Sequence, residues 1–172
     1  MKKKIFGIVG WSGSGKTDLT SRIIKYFVKK KILVSSIKHS HHNFEIDKKG
    51  KDSDIHLKSG SNEVIIYNKN KWALISQMQK KNVKIDEILD KFQKETEIIL
   101  IEGLKYSDFP KIEVVRSKIN KPLIFKEDKN VVGIVTDKNI NYLKNIDLPV
   151  FKFMETDKIG DFLLNYLKNA NV

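Results

Sequence analysis

The sequence contains no cysteine among its 172 residues. Disulfide bonds and metal sites built on thiolates are therefore excluded. A chain without cysteine suits a reducing compartment, and we expect a cytoplasmic protein. The sequence also has little arginine and no long apolar run, and both scarcities restrict the partners that it could have.

Arginine is scarce although the chain is strongly basic. The formal net charge is +12, yet Arg22 and Arg116 are the only arginines among 33 lysines and arginines. Proteins that read nucleic acids favour arginine, because its planar fork pairs with phosphates and base edges. We therefore attribute the charge to a lysine-rich composition and expect no nucleic-acid partner. The alternative, a basic nucleic-acid-binding protein, predicts strongly salt-dependent binding to DNA.

No apolar segment is long enough to cross a membrane. The run before Gly10 has about five apolar residues, against roughly 7–15 in the core of a signal peptide and about 18 in a membrane span. We expect neither a signal peptide nor a membrane partner.

Strands alternate with helices through most of the sequence, which predicts an α/β fold. The length and the 40% hydrophobic content favour a single nucleotide-binding domain over residues 1–172. Short unbroken apolar strands indicate a mainly parallel sheet flanked by helices, with a small β-hairpin excursion. The predicted strands cover residues 3–10, 32–38, 63–67, 72–76, 96–101, 111–116, 131–135 and 150–153, and the predicted helices cover 17–30, 52–59, 83–94, 139–145 and 156–169.

A phosphate-binding loop follows the first predicted strand. The segment GWSGSGKT, from Gly10 to Thr17, matches the pattern G-x-x-x-x-G-K-[ST] without departure. Glycines let successive backbone N–H groups face a phosphate, and the following helix adds the positive end of its dipole. Lys16 would reach the β- and γ-phosphates, and the Thr17 hydroxyl would bind Mg²⁺. The expected fold is that of a P-loop NTPase, and the expected phosphate-binding residues are Gly10, Ser12, Gly13, Ser14, Gly15, Lys16 and Thr17.

Two acids at the ends of apolar strands are further site candidates. Glu102, in IILIEG, lies where open α/β sheets bind ligands; it would hold Mg²⁺ directly or through water, and with Lys16 it is our candidate for catalysis. A solvated acid that opens a loop is the alternative. Asp137, in VVGIVTDKN, could accept two hydrogen bonds from the N1 and 2-amino groups of guanine. Asp137 would equally serve as the N-cap of the next predicted helix, and the two roles are compatible.

A loop rich in histidine follows the second predicted strand, in IKHSHHNFEIDKKGKDS (residues 37–53). The spacing of its histidines fits no zinc pattern, so we expect no zinc site. Loops at this edge of a phosphate-loop sheet carry acids that contact Mg²⁺ and move with the γ-phosphate. Asp47 and Asp52 are therefore candidates for the outer metal sphere, and Lys38 and Lys51 for phosphate charge or an anionic partner.

Together, GWSGSGKT, the histidine loop, WALIS, LIEGLK and PKIEVVR resemble the molybdopterin-guanine dinucleotide biosynthesis protein B (MobB) family over about residues 3–137. The resemblance implies a GTP-binding adapter of molybdenum-cofactor maturation, which binds the molybdopterin guanylyltransferase, forms a homodimer and hydrolyses GTP slowly with Mg²⁺. It places the phosphates on Gly13 to Thr17, makes Glu102 the acid of the second nucleotide motif and puts Asp137 at the base. It leaves open whether molybdopterin itself contacts the chain, and whether His39, His41 and His42 touch the pterin, the partner or neither.

The sequence departs from the family pattern at three positions. Asp18 follows Thr17 where a second threonine is common, Asn43 stands where an aspartate is often seen, and Lys49 replaces a common proline. None of the departures removes a phosphate-loop group, but they put a metal role for position 43 in doubt. The competing function is that of a P-loop small-molecule kinase, which needs a lid with several arginines to clamp the transferred phosphoryl group. Two arginines make such a lid hard to build.

Overall fold

Parallel strands form the sheet on which the candidate site is built. In the computed structural model, the described residues are 3–40, 44, 46, 48–77, 82–137, 143 and 146–169. The strands are β1 (Lys4–Val9), β2 (Val34–Lys38), β3 (Glu63–Tyr67), β4 (Trp72–Ser76), β5 (Ile98–Glu102), β6 (Lys111–Val115), β7 (Val131–Thr136) and β8 (Val150–Lys152). The helices are α1 (Lys16–Lys29), α2 (Asp52–Lys58), α3 (Ile85–Leu89) and α4 (Thr156–Asn169), with a 3₁₀ turn at Ile124–Lys126.

The larger sheet has the order β2-β5-β1-β6-β7-β8 within the described residues, and all its neighbouring strands pair in parallel. Every residue of β5 and β6 is buried, as expected for central strands covered on both faces. In parallel pairing the carboxyl ends of all six strands meet at one edge. The prediction of a mainly parallel α/β sheet with the P-loop NTPase architecture is confirmed.

Helix α1 fixes the position of the loop that precedes it. Leu19, Ile23 and Phe27 recur at helical spacing and are buried in the main core. The helix packs on α4 at Gly160, where an added Cβ would lie 2.4 Å from the Tyr26 ring. Because a side chain at that position would clash, Gly160 permits the close approach of α4 to the last turns of α1.

The chain divides into two compact units, Met1–His39 with Gln93–Val172, and Ser40–Phe92. The first unit contains the larger sheet, α1 and α4. The second contains α2, α3 and the antiparallel pair β3–β4, in which Val64 faces Ile75 and Tyr67 faces Trp72. A single domain over residues 1–172 stays a prediction.

Most predicted elements occur within one or two residues of their expected bounds, and the hairpin and α4 match them. The helix predicted over residues 83–94 is wrong in length, since α3 ends at Leu89. After Leu89, the N–H groups of Lys91 and Phe92 bond three residues back, which closes a turn. No residue of α3 is buried, so packing does not support a longer helix. The 3₁₀ turn was not expected, and the predicted helix 139–145 lies outside the described residues except at Leu143.

Candidate functional site

The loop from Gly10 to Gly15 follows β1 and depends on glycine at both ends. Gly10 has φ = 149°, and an added Cβ would lie 2.6 Å from the Val114 carbonyl oxygen. Gly15 has φ = 91°, and its Cβ would lie 2.7 Å from Arg116 Nη2 and 2.9 Å from Phe153 Cζ. Any larger residue would therefore be strained and would collide with the ends of neighbouring strands. This shape lets the backbone curl ahead of α1.

Lys16 is the first residue of α1, and its side chain folds back over the loop. Its ammonium donates a hydrogen bond to the Trp11 carbonyl oxygen at 2.9 Å. Burial lowers the pKa of Lys16; Glu102 opposes this effect, and Lys105 and Lys38 add to it. Three lysine ammonium groups thus act on the same region, which makes it favourable for a polyanion such as a nucleotide triphosphate.

Thr17 and Glu102 bring two oxygen donors together beside Lys16. The Thr17 hydroxyl donates to Glu102 Oε1 at 2.7 Å, and Lys38 Nζ lies 3.7 Å from the same oxygen. Strand pairing produces this meeting, because Glu102 is in register with Ile8 of β1 and with Lys38 of β2. Glu102 is 8% exposed. A hydroxyl and a carboxylate are hard oxygen ligands that fit Mg²⁺, so the donor set suits the predicted metal, whose binding stays a prediction.

The loop also has a buried hydroxyl that fits a phosphate ligand. Ser14 is 1% exposed, and its Oγ has no hydrogen-bond partner within the described part of the chain. A buried hydroxyl without a partner is costly unless a ligand or water supplies one. Ser14 Oγ therefore has hydrogen-bonding capacity that a ligand or water at the loop could use.

Glu113 is a second buried carboxylate near the loop, and each of its oxygens already accepts a hydrogen bond from the backbone. It is 1% exposed, and its two oxygens accept hydrogen bonds from the backbone N–H groups of Ile124 and Phe125, each at 2.9 Å. Burial raises the pKa of Glu113, although these two N–H groups and Lys105 act in the opposite direction. Glu113 thus anchors the 3₁₀ turn, and Glu102 remains the better metal candidate.

Asp137 lies at the carboxyl end of β7, on the other side of the loop from Glu102. Its Oδ1 accepts a hydrogen bond from the Ser117 backbone N–H at 3.1 Å, and the Ser117 hydroxyl lies 3.4 Å from Oδ2. Arg116 Nη1 is 3.9 Å from Oδ2. A carboxylate has about four lone-pair sites, so these contacts leave acceptor capacity. Both predicted roles, reading a guanine base and capping the next helix, stay predictions.

Three residues at the site were not predicted to belong to it. Arg116 donates from Nε to the Ser14 carbonyl oxygen at 2.8 Å. The Trp11 indole donates to the Pro122 carbonyl oxygen at 2.7 Å, and Lys105 Nζ lies 3.5 Å from the centroid of the Trp11 ring. Arg116 directly follows β6. Arginine is rare in this lysine-rich chain, and that rarity was the signal that could have identified Arg116.

The remaining predicted residues belong to the histidine loop and to the start of α2. Asp47, His41 and His42 are not among the described residues. Asp52 begins α2 in the unit Ser40–Phe92, and its metal role stays a prediction. Across the described residues, no group of three or more histidine, cysteine, aspartate or glutamate side chains could hold a metal ion. None of the helices described is long and apolar enough to span a membrane.

The central parallel strand, its glycine-rich loop and the lysine and threonine that open α1 define a protein of the P-loop NTPase fold. The model of the family "molybdopterin guanine dinucleotide synthesis protein B" (MobB) matches residues 5–137, and the chain belongs to this family. The resemblance predicted from the sequence is therefore confirmed.

The names of related proteins agree with this family assignment. A molybdopterin-guanine dinucleotide biosynthesis adapter protein from Haemophilus influenzae is 38% identical over 164 residues, which cover 95% of this chain and 89% of the relative. The Escherichia coli adapter protein of the same name is 25% identical, with 97% and 95% covered. The crystal structure of Bacillus subtilis MobB shares the fold, with a TM-score of 0.76, 23% identity, and 96% of this chain and 99% of that chain covered.

Proposed function

We propose that this chain is a GTP-binding adapter in the biosynthesis of molybdopterin guanine dinucleotide, and that it assists the guanylyltransferase that attaches GMP to molybdopterin. The single observation that supports this best is a complete phosphate loop, with Lys16 and the Thr17–Glu102 pair, in a family whose relatives are named adapter proteins. The proposal includes a cytoplasmic location, which suits a chain without cysteine.

The nucleotide would bind with its phosphates on the loop and with Mg²⁺ on the Thr17 hydroxyl and the Glu102 carboxylate. These two side chains would hold the ion, whose positive charge would offset that of the phosphates. The chain's own contribution is the half-buried Lys16 ammonium, whose hydrogen bond to a backbone carbonyl can be exchanged for stronger bonds to phosphate oxygens. The base would lie on the side of Asp137, because β7 and β5 lie on opposite sides of β1 in the sheet.

The proposal includes slow GTP hydrolysis, which is supported by the contacts of the two arginines. An arginine that stabilises the transferring phosphoryl group accelerates such reactions by about 10³–10⁵. Arg116 donates to the Ser14 carbonyl oxygen and Arg22 to the Phe153 carbonyl oxygen, each at 2.8 Å. Both guanidinium groups therefore already donate hydrogen bonds to backbone carbonyl oxygens. The same observation disfavours the small-molecule kinase, whose lid requires several arginines.

A homodimer is part of the proposal, and the hairpin β3–β4 is the surface that we assign to it. Ile65, Tyr67 and Trp72 are 60%, 81% and 58% exposed. Alternation places these three side chains on one face, whereas Val64 lies on the other face and is buried. An isolated two-stranded sheet is marginally stable, so a second copy of the same hairpin would stabilise it by covering this apolar face.

The experiment that tests the function is a calorimetric titration of the chain with GTP and with ATP, each with Mg²⁺. We expect binding with a preference for GTP, and we expect Lys16→Ala to abolish it because the loop then lacks its phosphate-directed charge. GTP affinity that is unchanged in Lys16→Ala would refute the phosphate-loop assignment. Lys25→Ala, which changes a lysine of α1 outside the loop, is the matched control and should bind normally.

A further inference from the structure

Both arginines of the chain lie over the same aromatic ring. The guanidinium carbon of Arg116 is 3.5 Å from the centroid of Phe153, and that of Arg22 is 4.7 Å from it. Phe153 directly follows β8 and is 7% exposed. In a sequence that otherwise uses lysine, two arginines at one ring indicate that the planar group is needed here, because guanidinium stacks on aromatic faces while its N–H groups still donate.

The two arginines differ in what else they contact. Arg22 donates to the Phe153 carbonyl oxygen and to the Thr156 hydroxyl, and it pairs with Asp18 on its own helix. Those contacts join α1 to the turn before α4. Arg116 instead reaches the phosphate loop, where its Nε donates to the Ser14 carbonyl oxygen at 2.8 Å. Only Arg116 of the two therefore acts directly on the backbone that would hold a nucleotide.

The hydrogen bond to Ser14 acts on one particular peptide group. The Ser14 carbonyl and the Gly15 N–H belong to the same planar peptide unit. A cationic donor on the carbonyl polarises that unit, which makes its N–H a stronger donor. Holding the carbonyl toward Arg116 also directs the Gly15 N–H away from Arg116. Since loops of this class bind phosphate through such N–H groups, Arg116 both orients and strengthens one of them.

The other end of Arg116 points toward the predicted base-recognition residue. Its Nη1 lies 3.9 Å from Asp137 Oδ2, and the next residue, Ser117, donates its backbone N–H to Asp137 Oδ1 at 3.1 Å. The carboxylate is thus held by the segment that Arg116 begins. One planar guanidinium group, which lies over the Phe153 ring, thus contacts the phosphate loop on one side and faces the end of β7 on the other.

We propose that Arg116 is a positioning residue that couples the phosphate loop to base recognition at Asp137, with Phe153 as the platform that fixes its plane. This inference rests on the proposed GTP-binding function and adds to it a determinant of affinity and of base preference. Arg22 also lies over the Phe153 ring, but the proposed coupling between the phosphate loop and Asp137 does not involve it. Arg22 is therefore a matched control within the same chain.

The test compares Arg116→Lys with Arg22→Lys by titration with Mg²⁺-GTP and Mg²⁺-ATP. Lysine keeps the charge but loses the planar donors, so Arg116→Lys should weaken GTP binding about 10-fold or more. The loss should be smaller for ATP, because the Asp137 contribution would apply to guanine. Arg22→Lys should keep both affinities within about 2-fold, even where its melting temperature falls, since Arg22 donates to Asp18, Thr156 and Phe153 and not to the loop peptide.

The results of these titrations distinguish a failure of the Arg116 proposal from a failure of the proposed GTP-binding function. Failure of the unmodified chain to bind Mg²⁺-GTP would refute the proposed function. Normal binding by the unmodified chain, with unchanged binding by Arg116→Lys or equal losses in the two arginine variants, would overturn the coupling alone. Equal losses for GTP and ATP in Arg116→Lys would overturn the link to Asp137.

A second variant covers the case in which Arg116→Lys does not fold. Phe153→Leu keeps both arginines but removes the ring that holds the Arg116 plane, and we expect GTP affinity to fall about 3–10-fold. The amide resonance of Gly15, followed by NMR, should move upfield in this variant as its peptide becomes less polarised. An unchanged resonance and an unchanged affinity would overturn the proposal.

Discussion

Replacing Asp128 by asparagine should destabilise the protein strongly, because it leaves a buried cation unpaired. Lys111 opens β6 with 0% exposure, and its ammonium donates to Asp128 Oδ2 at 2.6 Å and to the Ser107 carbonyl oxygen. Asp128 is 7% exposed. Asparagine would preserve the shape and the hydrogen bond from the Asn130 N–H to Oδ1, but an amide NH₂ would replace Oδ2, so Lys111 loses both the negative charge and the acceptor of its hydrogen bond.

The magnitude follows from the burial of both partners. Removing one member of a buried ion pair costs about 3–5 kcal/mol, because the other charge stays desolvated. For a chain of this size, about 3 kcal/mol corresponds to a fall in melting temperature of roughly 6–12 °C. Urea denaturation followed by circular dichroism measures the free energy of unfolding. Because β6 also positions Glu113 and precedes Arg116, the variant should lose nucleotide binding as it unfolds.

A double variant distinguishes the unpaired charge from a simple packing defect. In Lys111→Met with Asp128→Asn, no charge is left unpaired, so the double variant should be more stable than Asp128→Asn alone. A loss below about 1 kcal/mol in Asp128→Asn, or a double variant that is less stable than the single one, would refute the reasoning.

The pKa of Asp128 gives the same ion pair a pH signature. Burial tends to raise this pKa, but hydrogen bonds from Lys111 and Asn130 outweigh burial and leave it lowered. The carboxylate therefore contributes stability above its unfolded pKa of about 3.9, and that stability is lost as the pH falls through the lower folded value. The advantage of the unmodified chain over Asp128→Asn should accordingly shrink in urea titrations below about pH 4.

Three further predictions concern the site and the hairpin. We expect Mg²⁺ to raise the affinity for GTP, and Glu102→Gln should reduce this gain by about 10-fold or more, because the Thr17–Glu102 pair loses its charge. Titrations with and without Mg²⁺ measure the gain, and an unchanged gain would exclude Glu102 as a metal ligand. Asp137→Ala should weaken GTP binding more than ATP binding, since only guanine presents the paired donors, and equal losses in calorimetry would remove Asp137 from base recognition. Changing Tyr67 and Trp72 together to lysine should convert a dimer into monomers in sedimentation velocity, with Lys69→Glu in the hairpin turn as control; a dimer that survives would place the interface elsewhere.

The parts of the fold that could be predicted depend on short-range patterns. The phosphate loop is contiguous, and the apolar strand before it and the amphipathic helix after it are legible from spacing alone. The sequence patterns that predict the hairpin β3–β4 and helix α4 are equally local. Helix α3 was overestimated because its periodic residues, Ile85, Ile88 and Leu89, suggested a buried face that the structure does not bury. The spacing of apolar residues along a helix does not show whether another part of the protein covers them.

The sequence by itself determined that this chain has a phosphate loop, that Lys16 and Thr17 open its helix, and that its family is that of MobB, because each conclusion rests on short contiguous motifs that can be read without the fold. Only the tertiary structure showed which atoms of distant residues meet at the loop, and it added Arg116 to Glu102, which the sequence had named. The meeting of Thr17 with Glu102 spans 85 positions, and that of Arg116 with Ser14 spans 102. Both depend on the order in which parallel strands lie beside β1, and strand order is set by the packing of the whole sheet, which no local pattern records.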